Sequence, residues 1–362
     1  MKGLHRVRAH HVQLGCKRTP PSEFEISSAQ FCIPKKKNSD VKSPAPGLLP
    51  AVDPLSDTSK SSSISYGAIF REAWIGWNLT RQFEDHPAAK AQEAASELEE
   101  LGYGAIWFGE AAGREALTHA GLLLAATRRI VVATGIANIY ARDPVAMASG
   151  QKTLAEAYPD RFVLGLGVSH APLVEQLRGH QYEKPVPRMR AYLDAMDQAA
   201  YRSVPPPSKP VRVLAALRPK MLELAAQRAD GAHPYNVNLE HTARARKILG
   251  AGRYLCPEQA VVLETDPAKA RRIGREFLEL YLKLPNYTNN LLWLGFDEND
   301  FRNGGSDRLI DAIIAWGDLT AIRNRIREHH SAGADHVCVQ VLTADPRALP
   351  LREWRELASA VL

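Results

Sequence analysis

From about residue 67 onward, short apolar runs alternate with amphipathic stretches. The apolar runs are IFREAWIGW, YGAIWFGE, IVVATGIANI, RFVLGLGV, VRVLAAL, DGAHPYNV, QAVVLET and HVCVQVL, each short enough for a strand covered on both faces. Between them, AAKAQEAASELEELG, ALTHAGLLLAATR, PVAMASGQKTLAEAY, MRAYLDAMDQAAY, RPKMLELAAQRA and HTARARKILG carry apolar residues at helical spacing. Leu101-Gly102 places glycine at a C-terminal cap, and Asp143-Pro144 places a capping carboxylate before a helix-starting proline. Eight strands in strict alternation with helices predict an α/β chain folded as a (β/α)8 TIM barrel over 67–362. The stretch PNYTNNLLWLGFDENDFRNGGSDRLI, residues 285 to 310, predicts a helical insertion between strands seven and eight. An open doubly wound sheet is the rival. GLGVSH starts like G-x-G-x-x-G, but His170 stands at the third glycine and no acidic residue ends a strand about 20 positions on.

Residues 1–66 break the pattern. KRTPPSEFE, PKKKNSD, KSPAPG and SDTSKSSS are rich in Ser, Pro and Lys and show no sustained period. Such a segment buries too little apolar surface to offset chain entropy, which predicts a disordered basic extension. The charge sits there too. The whole chain has a formal net charge of +6, of which residues 1–66 carry +5 with 10 Lys+Arg against 5 Asp+Glu. The remainder is balanced, without a basic stripe of interleaved aromatics, so nucleic acid is not an expected partner. Cys16, Cys32, Cys256 and Cys338 are scattered, with no CxxC and no metal-ligand spacing. That suits a reducing, cytoplasmic setting without a disulfide framework or metal site. No apolar run approaches the ~18 residues of a membrane span, and no apolar core of a secretory signal follows the N-terminal charges.

In a barrel the chemistry gathers where strands end, so the strand tips define a candidate site. They are Trp77 and Asn78; Gly109 to Gly113; Ala137 to Tyr140; Gly167, Ser169 and His170; Ala215 to Arg218; and His233, Tyr235 and Asn236. RFVLGLGV is apolar because both faces are covered, and it ends in Ser169-His170 because its tip lines a pocket. Gly165 and Gly167 are expected to let backbone approach a flat ligand. His170 either gives a proton or hydrogen bond to a ligand or caps the next helix. Glu110 either orients a ligand or acts as a base, or binds nearby backbone amides. Asn138, polar within an apolar strand, points to the site; Asp143 points to a cap. His233 and Tyr235 either line the substrate mouth or are ordinary buried polar groups. Trp74 and Trp77 either wall the pocket or fill the barrel. His329-His330 and Arg323, Arg325 and Arg327 are expected on a solvated helix face.

TGIANIYARDPVAMASGQKTLAEAYPDRFVLGLGVSHAP resembles the third and fourth βα units of the bacterial luciferase-like superfamily, closest to the actinobacterial oxidoreductases that use the deazaflavin coenzyme F420. LEELGYGAIWFGEA, ADGAHPY, GSDRLIDAIIAWGD and AGADHVCVQVL support the resemblance, which spans about 69 to 360. It implies a non-prolyl cis bond at Ala137-Asn138 beneath the cofactor ring. It also implies ring contacts at Gly167, Ser169 and His170, an acid at Glu110, and a phosphate-bearing tail near Ala215, Ala216 and Arg218. With Trp77, Tyr140, His233 and Tyr235 around the substrate, and His170 and Glu110 catalytic, these complete the expected site. A homodimer is implied as well. The chain departs from the family pattern in three places. Leu217 and Arg218 stand where glycine is common, Ala111 where histidine often follows the acid, and His170 where some members carry glutamate.

Metal-dependent hydrolysis would want clustered His and Asp at strand tips, and IFREAWIGW supplies no ligand pair. A G-x-S-x-G elbow is also missing. The chemistry therefore falls to a cofactor. The leading expectation is hydride transfer between F420 and a small organic substrate. The alternatives are FMN-dependent monooxygenation and a barrel that has lost cofactor binding.

Overall fold

The computed structural model describes residues 75–78 by their backbone, residue 83, and residues 85–361. The expected extension 1–66, its boundary, Trp74 and the side chain of Trp77 lie outside the described residues. The first half of the chain runs β1 (Ile75–Asn78), α1 (Ala88–Glu100), β2 (Ala105–Phe108), α2 (Ala116–Ala126), β3 (Val131–Thr134), β4 (Ala137–Asn138), α3 (Pro144–Ala157) and β5 (Phe162–Gly167). It continues with α4 (Pro185–Gln198), β6 (Val211–Leu214), α5 (Pro219–Arg228), β7 (Gly231–Ala232), α6 (Leu239–Leu249), β8 (Tyr254–Leu255) and β9 (Glu258–Val262). Then follow α7 (Pro267–Tyr281), α8 (Pro285–Trp293), α9 (Asp307–Ile313), β10 (Ile314–Trp316), α10 (Leu319–Ser331), β11 (Val337–Val341) and α11 (Leu351–Val361).

All strand pairs among the described residues are parallel, in the order β10-β9-β11-β1-β2-β3-β5-β6-β7-β8. The sheet curls because the run 254–262 serves both ends: β8 pairs with β7, and β9 pairs with β11. The amides of Cys256 and Glu258 bond the carbonyls of Ala232 and Pro234 at 2.9 Å, which keeps the start of β9 tied to the β7 side. Odd-numbered positions of β2, β3, β5 and β6 turn inward. Ala105, Trp107, Val131, Ala133, Val163, Val211 and Val213 pack there with Cys256 and Cys338. Even-numbered neighbours such as Ile106, Val132, Leu164 and Leu214 pack outward on helical residues such as Leu98, Leu123 and Leu193. Period-two alternation thus survives in strands that are apolar on both faces.

The stretch after β9 is more than a helical excursion. It contributes β10, which pairs with the outer edge of β9 at Ile314↔Ala260. It also has a core of its own, in which Leu278, Leu291, Leu309, Ile310 and Ile314 meet Ala260 and Val262. Asp143 caps α3 as expected, accepting from the amides of Val145 and Ala146 at 2.9 and 3.0 Å.

The expected solvated face of α10 requires correction. His329 is fully buried, with Nδ1 2.9 Å from the Thr242 hydroxyl and Nε2 2.8 Å from Gln259 Oε1. Arg325 is largely buried and donates to the carbonyls of Asp311 and Ala312 at the end of α9. The reason is spacing: Ile322, Ile326 and His329 fall on one helical stripe, and that stripe faces the barrel.

Candidate active site

At the carboxyl ends of β5, β6 and β7 opens a cavity of about 610 Å³, within the range of small-molecule sites. The β5 tip supplies Gly167, Ser169 and His170, the β6 loop supplies Ala215, Ala216 and Arg218, and the β7 loop supplies His233 and Tyr235. These eight expected residues converge there. Glu110, Ala137, Asn138 and Tyr140 do not reach the lining; the side chain of Trp77 is outside the described residues.

The non-prolyl cis bond is Gly135-Ile136, not Ala137-Asn138. Ala137 and Asn138 are already back in parallel register with Leu166 and Gly167, so the irregularity falls two residues earlier. Ile136 is the residue that lines the cavity. Asn138 is buried and its Oδ1 accepts from the Tyr140 amide at 2.9 Å. The two strand glycines make room for the third strand. A Cβ on Gly165 would sit 2.0 Å from the Thr134 carbonyl oxygen, and one on Gly167 would sit 2.4 Å from Ile136 Cδ1. They admit the bent third strand, and Gly167 also lines the cavity.

Glu110 is a clamp behind the site. One oxygen forms an ion pair with Arg142 and accepts from the Ala116 amide at 3.2 Å; the other accepts from the Asn138 amide at 2.8 Å. Its carboxylate thereby fastens the start of α2 to the tip of the third strand. Tyr140 is likewise buried, its hydroxyl accepting from the Glu183 amide at 3.2 Å.

His170 lies against the cavity with its ring 5.5 Å from that of Tyr287, and burial lowers its pKa. A lowered value keeps the imidazole neutral at pH 7. His233 is almost wholly buried; its Nδ1–H donates to the Cys256 carbonyl at 2.7 Å, and its ring stacks on Trp107 at 4.4 Å. That bond fixes the tautomer, so Nε2 is an acceptor, and it has no partner. Burial pushes this histidine down to about 4. Tyr235 donates to Gln340 Oε1 at 2.7 Å and meets the Tyr281 hydroxyl at 3.1 Å.

Two features escaped the sequence. Helix α8 contributes Asn286, Tyr287, Asn289 and Trp293 to the lining, so the stretch between β9 and β10 walls the cavity. Glu258, the first residue of β9, is buried with Oε2 accepting from the Asn236 amide at 3.0 Å and Oε1 without a partner. Burial pushes its carboxyl up to about 8. The apolar pattern of strand seven was the available signal for Glu258; a charged residue at its start reads as a boundary.

On the β6 side, α5 begins without a side-chain cap, and Arg218 and Lys220 lie at its start. Pro219 has no N–H and the Met221 amide bonds the Arg218 carbonyl at 3.0 Å, so the Lys220 amide and the two cations are what suit an anion there. Leu217 lines the cavity beside these cations. Its carbonyl accepts from His241 Nε2 at 2.6 Å, which anchors the loop to α6. Among the described residues no lining residue is acidic, and no group of three or more His, Cys, Asp or Glu could hold a metal. No helix among them is long and apolar enough to cross a membrane.

Cofactor-sized space at the strand ends of a curled parallel sheet is the arrangement of luciferase-like oxidoreductases. Residues 75–336 match the luciferase-like monooxygenase family, and the chain belongs to it. A Mycobacterium tuberculosis protein named "Putative coenzyme F420-dependent oxidoreductase Rv3520c" is 27% identical over 337 residues, covering 76% of this chain and 95% of that one. An F420-dependent secondary alcohol dehydrogenase, solved with an F420-acetone adduct, superposes with a TM-score of 0.63 at 16% identity, over 80% of this chain and 99% of that one. The oxygenating constituent of 3,6-diketocamphane monooxygenase from Pseudomonas putida, solved with FMN, gives a TM-score of 0.60 at 13% identity, over 80% and 99%. At these identities the two structures speak for the fold.

Proposed function

We propose that the chain is an oxidoreductase that transfers a hydride between coenzyme F420 and a small organic substrate. The observation that carries this reading is the cavity itself. It has an apolar floor and walls, one buried acceptor without a partner, and a cationic helix start at one side. A planar ring with an anionic tail fits that arrangement. Ile136, Val168 and Val186 would flank the ring, His233 Nε2 would accept from a ring N–H, and the side chains of Arg218 and Lys220 with the Lys220 amide would hold the phosphate-bearing tail. When bound, the deazaflavin supplies the hydride.

The protein supplies position and dryness. Ile136 and the apolar walls exclude water from the reacting face, and the clamp at Glu110 fixes the strand tip that carries Ile136. His170, neutral by burial, offers an N–H donor rather than a full positive charge. Reduced FMN with oxygen is the competing chemistry, supported by the likeness to the FMN-bound monooxygenase fold. Titrating the purified protein separately with F420 and FMN, and following quenching of each ligand's fluorescence, decides between them. Saturable F420 binding that weakens severalfold in Arg218→Ala is expected. Tight FMN binding without F420 binding would reverse the assignment, and binding of neither would leave a barrel without this cofactor chemistry.

A further inference from the structure

Three tyrosines meet where α7 and α8 close over the β7 loop, and their hydroxyls are not equivalent. The Tyr235 hydroxyl is committed to Gln340 and Tyr281. The Tyr287 hydroxyl has no hydrogen-bond partner among the described residues, yet its ring is held from three sides. Tyr281 packs edge-on at 5.1 Å, Tyr235 at 6.3 Å, and His170 tilts against it at 5.5 Å. Tyr287 also lines the cavity. Burial first, then the neighbouring Tyr281 and Glu258, raise the pKa of its hydroxyl, so it keeps its proton. A fixed ring with one unspent donor facing a cavity is a recognition element.

Its position separates it from the anion-binding side. Arg218 and Lys220 belong to the β6 loop and α5, whereas Tyr287 comes from the first turns of α8 and faces the β5 tip. Around Tyr287 the polar groups are neutral: the His170 imidazole and the amides of Asn286 and Asn289. Among the described residues no acid lines the cavity to receive a cationic substrate.

We propose that Tyr287 anchors the substrate by donating its hydroxyl hydrogen to an uncharged oxygen, so that the cavity selects neutral carbonyl compounds and the corresponding alcohols. This rests on the hydride-transfer reading of the same cavity, because the anchored oxygen marks the carbon that exchanges hydride. A hydroxyl at this place polarises the carbonyl; reduction would then add hydride from reduced F420 to the carbon and a proton from solvent to the oxygen, and alcohol oxidation would release both by the reverse path. The stretch between β9 and β10 is thereby the part of the chain that chooses the substrate, and the strand tips are the part that holds the cofactor.

The test compares cyclohexanone with methylenecyclohexane, which has the same shape but no acceptor oxygen. Binding is read by ligand-observed NMR on the wild-type chain and on Tyr287→Phe, each with and without F420. The ring survives the substitution, so a superimposable melting curve and unchanged F420 affinity are expected. Cyclohexanone should bind about fivefold more weakly to Tyr287→Phe, close to 1 kcal/mol for one neutral hydrogen bond, while methylenecyclohexane is unaffected. Equal loss for both ligands would show a packing role, and no loss for either would show an idle hydroxyl; each overturns the proposal. A wild-type chain that binds no F420 overturns the cofactor reading and the catalytic meaning of the anchor with it. The ketone comparison on the chain alone separates that failure from the failure of Tyr287.

Discussion

Replacing Glu258 by glutamine should remove a pH dependence from the stability of the barrel. The carboxyl is buried to 1% exposure at the start of β9, with one oxygen on the Asn236 amide and the other on nothing. Burial raises it from 4.5 to about 8. The folded chain therefore keeps a proton that the unfolded chain gives up above pH 4.5. Stability from this group is complete below that value, falls as pH rises through the window from 4.5 to 8, and then levels off. At 1.36 kcal/mol per unit, the loss is about 3 kcal/mol at pH 7 and about 5 kcal/mol above pH 8. The groups that feel its charge, Tyr235, Tyr287 and Cys338, are themselves pushed upward by burial and stay neutral across this window. Other titrating groups act equally on both proteins, so the difference between wild type and Glu258→Gln isolates the carboxyl. Urea unfolding at half-unit steps from pH 5 to 9 reads it. The variant should gain on the wild type progressively as pH rises. A difference that stays flat within about 0.5 kcal/mol, or that shrinks toward alkaline pH, would refute the account.

His329 predicts the opposite slope. Its pKa falls from 6.5 to about 3, so stability is lost as pH drops from 6.5, by about 2 kcal/mol at pH 5. His119, His233 and His241, each pushed down to about 4 by burial, add to the same limb. His329→Gln should therefore lessen its slope by one histidine's share in urea unfolding, and an unchanged slope would refute the assignment. Gly165→Ala should abolish soluble expression, because its Cβ meets the Thr134 backbone oxygen at 2.0 Å. Gly167→Ala meets the movable tip of Ile136 at 2.4 Å and should cost about 1–3 kcal/mol in denaturant melts. Equal effects at the two positions would contradict this. Glu110→Gln should destabilise by about 2 kcal/mol through the weakened bond to Arg142, which keeps Glu115 as its second acidic partner, while leaving F420 affinity unchanged by titration. Lost affinity at normal stability would return Glu110 to the cofactor.

The strand tips were legible because βα alternation fixes which loops share an end. Gly167, Ser169, His170, Arg218, His233 and Tyr235 converge on one cavity for that reason alone. Orientation was not legible in the same way. A strand that is apolar on both faces gives periodicity no sign, so Trp107 pointing inward and Ile106 outward cannot be told apart from composition. The third strand added a second ambiguity, since its bend displaced Ile136 into the cavity and withdrew Ala137 and Asn138 from it. His329 is a different case: the stripe Ile322, Ile326, His329 was present in the sequence, and the flanking arginines masked it. Tyr287 had no signal at all, because PNYTNNLLW reads as a short helix and nothing in it states which face meets the barrel mouth. The scaffold follows from local pattern, whereas the face that meets the substrate depends on how the stretch between β9 and β10 docks over three strand ends. Substrate choice can change there without disturbing the alternation that makes the fold, as the separate cores of that stretch and the barrel allow.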